Sequence, residues 1–171
     1  MADEQEFWFA ARTRANQELS LRNSLRKIEI THYLPTHVVT RRISDRVKRV
    51  EVPVINNLIF IKATKQVAFS LIKDHGLKIS YIRNSENNSM LVVPEKQMAD
   101  FMFVMDLDPE SIKQCTADFV PGEKVRVIKG SLTGVEGEMV RIEGKTHVLL
   151  RVPQILAISV KVPKAYLEKM K

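Results

Sequence analysis

Phe119-Val120-Pro121-Gly122-Glu123-Lys124-Val125-Arg126-Val127-Ile128-Lys129-Gly130, followed by Leu132, Gly134, Val135, Glu136 and Gly137, is the stretch on which the reading of this chain turns. Val125 and Val127 alternate with Lys124 and Arg126, and alternation at period two marks a strand with one face on a core. Gly130 and Gly134 sit where the chain must reverse. Gly137 lets the next strand begin at a place where a side chain would crowd its neighbour. Further on, Leu156, Ile158, Val160 and Val162 alternate with Ala157, Ser159 and Lys161. Short strands punctuated by Gly122, Gly130, Gly134, Gly137 and Gly144 predict a small barrel over residues 118–171 that closes its own edges.

Upstream of this region the composition changes. Residues 1–105 hold 16 Lys and Arg against 11 Asp and Glu, a net of +5, and residues 118–171 hold 10 against 6, a net of +4. Residues 106–117, from Asp106 to Ala117, carry a net of −2, lack a clear period and contain Pro109, which reads as a linker. The domains expected are therefore 1–105 and 118–171.

The first of these reads as α+β. Phe7-Trp8-Phe9-Ala10-Ala11-Arg12 suits a central strand, and Asn16 or Thr13 is placed to open the helix that follows. Leu21, Leu25 and Ile28 give that helix an apolar face. Extended segments run from His32 to Val39 and from Val52 to Ala63, joined by the basic connector Arg41-Arg42-Ile43-Ser44-Asp45-Arg46-Val47-Lys48-Arg49, a long hairpin with a charged tip. A helix over Gln66–Lys73 stops at His75-Gly76, since glycine tolerates the left-handed backbone that ends many helices. Strands at Lys78–Arg83 and Met90–Val93 flank the polar turn 84–89. Pro94 then opens a helix whose apolar stripe is Met98, Phe101, Met102 and Met105. The order is β-α-β-β-α-β-β-α with a basic hairpin inserted.

At 171 residues, 44% hydrophobic and 27% charged, the chain has the make-up of a soluble globular protein. Met1-Ala2-Asp3-Glu4-Gln5-Glu6 is acidic where a secretory signal is basic, and no apolar run reaches the roughly 20 residues of a membrane span, so a cytoplasmic protein is expected. Cys115 is the single cysteine, which excludes an internal disulfide and a thiolate zinc cluster and leaves a buried or idle thiol. The net charge of +7 and pI near 9.6 favour polyanionic partners.

Catalytic patterns fail on inspection. Gly144-Lys145-Thr146 ends like a phosphate-binding loop, but that loop needs glycine at position 139, where Met139 stands. His32 and His37, five apart in an extended segment, point to opposite faces and cannot pair on a metal. No group of acids, and no Ser or Cys with a partner, assembles from spacing. No enzyme activity, metal or cofactor is expected.

The glycine-bearing segment 119–137 resembles the KOW motif that ends NusG proteins. Trp8-Phe9-Ala10-Ala11-Arg12-Thr13 is similar to the opening strand of their NGN domain, and the order of elements agrees with it. The resemblance covers nearly the whole chain. It implies a ferredoxin-like NGN domain, an antiparallel sheet flanked by helices, linked to an SH3-like all-β KOW barrel. One departure stands out: the family usually has Phe-Pro-x-Tyr before the third strand, where this chain has Ile55-Asn56-Asn57-Leu58, although Pro53, Phe60 and Ile61 agree. Val54 to Phe60, Met90 to Met98 and Val162 to Lys169 look like the specialised UpxY-type paralogues, which are antiterminators of capsular-polysaccharide operons.

What the resemblance implies is binding: the NGN domain docks the clamp helices of RNA polymerase and suppresses pausing or premature termination. The implied polymerase contacts are Trp8, Ile55, Leu58, Phe60, Met98 and Met102. Each has a plainer reading, because strand and stripe residues of this kind pack internally. Arg14, Arg22, Arg26 and Lys27 are candidates for the displaced non-template DNA strand or nascent RNA, the alternative being a solvated helix face. Arg41, Arg42, Arg46, Lys48 and Arg49 are denser and are candidates for nucleic acid or the opposite jaw of the polymerase. Gly130, Gly134 and Gly137 form the KOW turn, and the barrel is a candidate site for a ribosomal protein or termination factor. A monomer is expected, with a constitutive barrel rather than a helical hairpin, because Val125, Val127, Ile158, Val160 and Val162 favour strands. Two other readings stay open, the housekeeping NusG and an RNA- or ribosome-binding KOW protein.

Overall fold

Strand β1 (Phe7–Thr13) is the centre of the N-terminal half of the computed structural model, which describes residues 5–109, 112–115, 122–152 and 154–171. It pairs antiparallel with β5 (Leu58–Ala63) along one edge, from Phe7 opposite Ala63 to Arg12 opposite Leu58. Its other edge takes β6 (Ile79–Tyr81) and β7 (Val92–Val93), and β2 (Thr31–Tyr33) lies outside β5. Phe7-Trp8-Phe9-Ala10-Ala11 has apolar residues at successive positions, and Trp8, Phe9, Ala10 and Ala11 are all buried. The first face carries Phe9, Ala11, Ile59 and Ile61, packed with Leu21 and Leu25 of α1 (Glu18–Lys27) and with Ala68 and Leu71 of α2 (Lys65–Lys73). Each of the Phe, Leu and Ile side chains taken from water contributes about 1.5–3 kcal/mol. Within this core the Tyr81 hydroxyl donates to the Ala68 carbonyl at 2.8 Å, and burial pushes its pKa above the usual phenolic range.

Helix α1 does not open at Asn16 or Thr13. Thr13 remains in β1, Asn16 sits at φ +62°, outside the extended geometry of a capping residue, and Gln17 precedes the helix without a side-chain cap. Helix α2 is capped by Thr64, whose Oγ1 accepts from the Val67 N–H at 3.1 Å, and Gly76 beyond its end is at φ +64°.

The basic connector is itself structured. β3 (Thr36–Ile43) and β4 (Arg46–Pro53) form a separate two-stranded ribbon, paired from Thr36–Pro53 to Ile43–Arg46 around the turn Ser44-Asp45. The expected extended segment 52–63 is interrupted at 54–57, where Asn57 adopts φ +60°. The valines and threonines among the arginines suit strands, and the two halves pair each other's inward-facing backbone groups without joining the main sheet.

By its contacts the chain divides into units Met1–Pro94 and Glu95–Lys171. The second comprises α3 (Glu95–Leu107), β8 (Lys113–Cys115), β9 (Glu123–Val127), β10 (Glu136–Ile142), β11 (Lys145–Val152), β12 (Leu156–Lys161), a 3-10 turn (Lys164–Tyr166) and β13 (Leu167–Lys169). Its antiparallel sheet runs β13-β9-β10-β11-β12-β8, and the first five strands follow the order of an SH3-like barrel. Val125, Val127, Val148, Leu150, Ile158 and Val160 are buried in it. Part of the segment read as a linker is structured: α3 extends to Leu107, and β8 pairs with β12 through Cys115 opposite Ala157. A three-residue strand has no readable period, so only its partner reveals it. Glu110, Ser111, Thr116 and Ala117 of that segment, Phe119, Val120 and Pro121 of the glycine-bearing motif, and Met1 to Glu4 lie outside the described residues.

Helix α3, grouped with the first domain on sequence, packs against β11 within the second unit. Asp100 joins them: its Oδ2 accepts from the Glu136 N–H at 3.1 Å, while Lys96 Nζ donates to its Oδ1 at 2.7 Å and to the Gly134 carbonyl at 2.9 Å. A second apolar cluster, Val140, Leu149 and Ala157 with Cys115 and Ile142, lies across β10, β11 and β12.

Gly137 fits its sequence reading. A Cβ there would stand 2.6 Å from the Leu149 carbonyl oxygen and 2.7 Å from Val148 Cγ1. Gly137→Ala is expected to lower stability by about 1–3 kcal/mol, read as a lower urea midpoint with an unchanged slope. His147 is buried on β11 with Nδ1 unpartnered; burial, then Lys113, Lys161 and Lys145, lower its pKa from 6.5 against an opposing pull from Glu143. The folded chain therefore resists the proton that the unfolded chain accepts, so stability should fall as pH drops below 6.5. His147→Gln should show a smaller loss of melting temperature between about pH 7.5 and 5.5 than the parent.

Candidate functional surfaces

Arg22 and the base of the ribbon form a connected polar group in the first unit. The Arg22 guanidinium grips the Glu51 carboxylate with both terminal nitrogens, the Nη2–Oε2 contact being 3.1 Å, and Thr36 Oγ1 donates to Glu51 Oε1 at 2.8 Å. Planar guanidinium and carboxylate match as a two-point pair, which fixes direction as well as distance. The hydrogen bond from Arg22 and then that from Thr36 hold the Glu51 carboxyl down to about 2, and the same bond raises the Arg22 pKa. Arg22, read on sequence as a nucleic-acid contact, is thus committed to Glu51. Arg14, Arg26 and Lys27 are exposed. Close by, the buried Glu18 accepts from the Asn57 N–H at 2.8 Å and holds the left-handed turn before β5. Glu18, Thr36 and Glu51 were invisible as a group on sequence, being spread over 34 positions.

Every residue from Thr40 to Arg49 is exposed. The pairing alternates sides, so Arg42, Val47 and Arg49 share one face of the ribbon with Glu51, and Arg41, Ile43, Arg46 and Lys48 share the other. Arg41, Arg42, Arg46, Lys48 and Arg49 make no ion pair among the described residues. The structure brings these five sequence candidates together on one arm.

The implied polymerase contacts lie elsewhere. Trp8, Leu58 and Phe60 belong to the second face of the sheet, opposite the helix-covered core, with Ala10 and Val93 beside them. They are buried, as are Ile55 and Met98, and Phe60 is wholly enclosed; only Met102 of the six is partly accessible. In this conformation the five buried residues are packed positions, because apolar side chains leave water. Lys62 Nζ lies 5.9 Å above the Trp8 ring. Gly130 and Gly134, at φ +86° and +97°, lie in the turn between β9 and β10.

An α+β sheet-and-helix module carrying a cationic ribbon, followed by an SH3-like barrel, is a two-module protein built around surfaces. Among the described residues no group of His, Cys, Asp or Glu has the arrangement of a metal site, and no helix is long and apolar enough to cross a membrane. The family model described as transcription termination factor nusG matches residues 6–102, and the chain belongs to the NusG family. Among solved structures it is similar to one titled "Domain interaction in Thermotoga maritima NusG", with 13% identity, 98% of each chain covered and a TM-score of 0.51, a likeness of fold that spans both modules. No curated protein matches the sequence.

Glu51→Gln weakens the hold on Arg22 while keeping its shape. Stability should drop by about 1–2 kcal/mol, with faster amide exchange at Thr36–Val39 and Val50–Pro53 than at β1. In the parent chain the Glu51 contribution is present above its ordinary pKa of 4.5 and is lost as pH falls towards about 2, so the difference between parent and variant should vanish there.

Proposed function

We propose that this chain is a specialised NusG-type elongation factor that binds core RNA polymerase through the NGN module and suppresses pausing or premature termination in a restricted set of operons, of the capsular-polysaccharide kind. The observation carrying this reading is the second face of the sheet. Trp8, Ala10, Leu58, Phe60 and Val93 make a continuous apolar surface in the module that defines the family. An apolar face bordered by Arg12 and Lys62 suits a protein partner that also holds nucleic acid. Because that face is buried here, engagement requires it to become accessible.

The specialised assignment rests on Ile55-Asn56-Asn57-Leu58. Asn57 holds φ +60°, a conformation that asparagine tolerates, and Glu18 secures its N–H. A turn of this make-up differs from the Phe-Pro-x-Tyr usual in the general factor and points to a distinct division of labour.

Immobilised core polymerase is expected to retain the full chain. Leu58→Glu, shown to be folded by its circular dichroism and melting profile, should be retained at least tenfold less, as expected when a charge must be desolvated at an apolar contact. Full retention of the folded variant would remove the face from the site. Transcription with purified polymerase on templates with and without a cognate leader separates specialist from general factor: leader-limited stimulation supports the specialist, and equal stimulation on all templates supports the housekeeping role.

A further inference from the structure

The ribbon is charged on both sides, and that is unusual for an arm meant to lie on a flat surface. Its distal rungs put Arg42 and Arg49 on one face with Val47, and Arg41, Arg46 and Lys48 on the other with Ile43. Val47 is 68% exposed and Ile43 51% exposed, so the tip presents one aliphatic side chain to each side among unpaired cations. Of the two acids on the ribbon, Glu51 is neutralised at the base by Arg22, leaving Asp45 in the turn. A partner able to use all of this must offer negative charge to both faces at once.

The geometry points to double-stranded DNA, with the ribbon seated in the major groove between the two phosphate backbones. Eight paired rungs at roughly 3.3 Å each give an arm of about 26 Å, and a two-stranded ribbon fits a groove about 12 Å wide. The two walls of that groove supply phosphates to both faces, and Val47 and Ile43 match the thymine methyl groups that line it. Single strands are a poorer fit. They are held by stacking on aromatic rings, and residues 36–53 contain no Phe, Tyr or Trp. Duplex RNA is poorer still, because its major groove is too deep and narrow for side chains to enter. The Arg22–Glu51–Thr36 contacts fix the base of the arm, so that insertion does not first have to order it.

This inference deepens the nucleic-acid side of the proposed function and is tested apart from it. Fluorescence anisotropy of the full chain would be measured against a 20-bp DNA duplex, one of its single strands and a duplex RNA of the same sequence, at about 50 mM salt and upwards. Duplex DNA should bind at least tenfold more tightly than either of the others. The ribbon variants Arg42→Thr/Arg49→Thr and Arg41→Thr/Lys48→Thr change only exposed positions and keep β-compatible side chains. Each should weaken duplex binding at least tenfold and make the dependence of log K on log salt shallower by about two. Equal affinity for the single strand or for duplex RNA overturns the inference. So does loss from one face's variant alone, which would describe a flat contact. The same variants applied to immobilised core polymerase keep the two readings distinguishable. Retention by polymerase with no preference for duplex DNA sinks only the ribbon inference, whereas ribbon-dependent duplex binding without retention sinks only the polymerase reading.

Discussion

The antiparallel pairing of β1 with β5 carries the N-terminal module. Its register, Phe9 opposite Ile61 and Ala10 opposite Phe60, places apolar residues on both faces of the same two strands. A slip of one residue would exchange the faces, sending Phe9 and Ile61 away from α1 and α2. Everything functional in the module hangs from this pair. β5 begins directly after the turn that Glu18 secures, α1 leaves from the end of β1, and the ribbon rises between β2 and β5.

Charge is used in two ways that composition does not separate. Arg22 is spent on structure, locked to Glu51, and the carboxyl is held far below its ordinary pKa as a consequence. Arg126 with Glu136 and Arg151 with Glu138 are likewise paired in the barrel. Among the described residues the five ribbon cations stand free of such pairs. An unpaired cation cluster raises self-repulsion in the isolated chain, and binding a polyanion relieves it.

Much of this was legible in the sequence. Period-two alternation gave the barrel strands, and the stops at Gly76, Gly130 and Gly134 are found at positive φ. The α+β order of the first module was readable because each helix is long enough to show an apolar face. Other features were not. β8 is three residues without a period and exists through its pairing with β12. The arginine-rich segment was readable as the charged tip of a long hairpin, but not the extent of its strands, because charge obscured the alternation. Leu58 and Phe60 were identified as site candidates, yet a strand pattern does not tell a core face from a docking face.

By itself the sequence determined what local chemistry controls: the succession of strands and helices, the glycine turns, the clustering of positive charge, and the resemblance that family membership supports. Tertiary structure decided which groups meet. Arg22 found Glu51 across 29 positions, Asn57 found Glu18 across 39, and Asp100 found the Glu136 backbone across 36. Such contacts form only when distant segments are brought together by burial, and no periodicity within either segment encodes the distance between them.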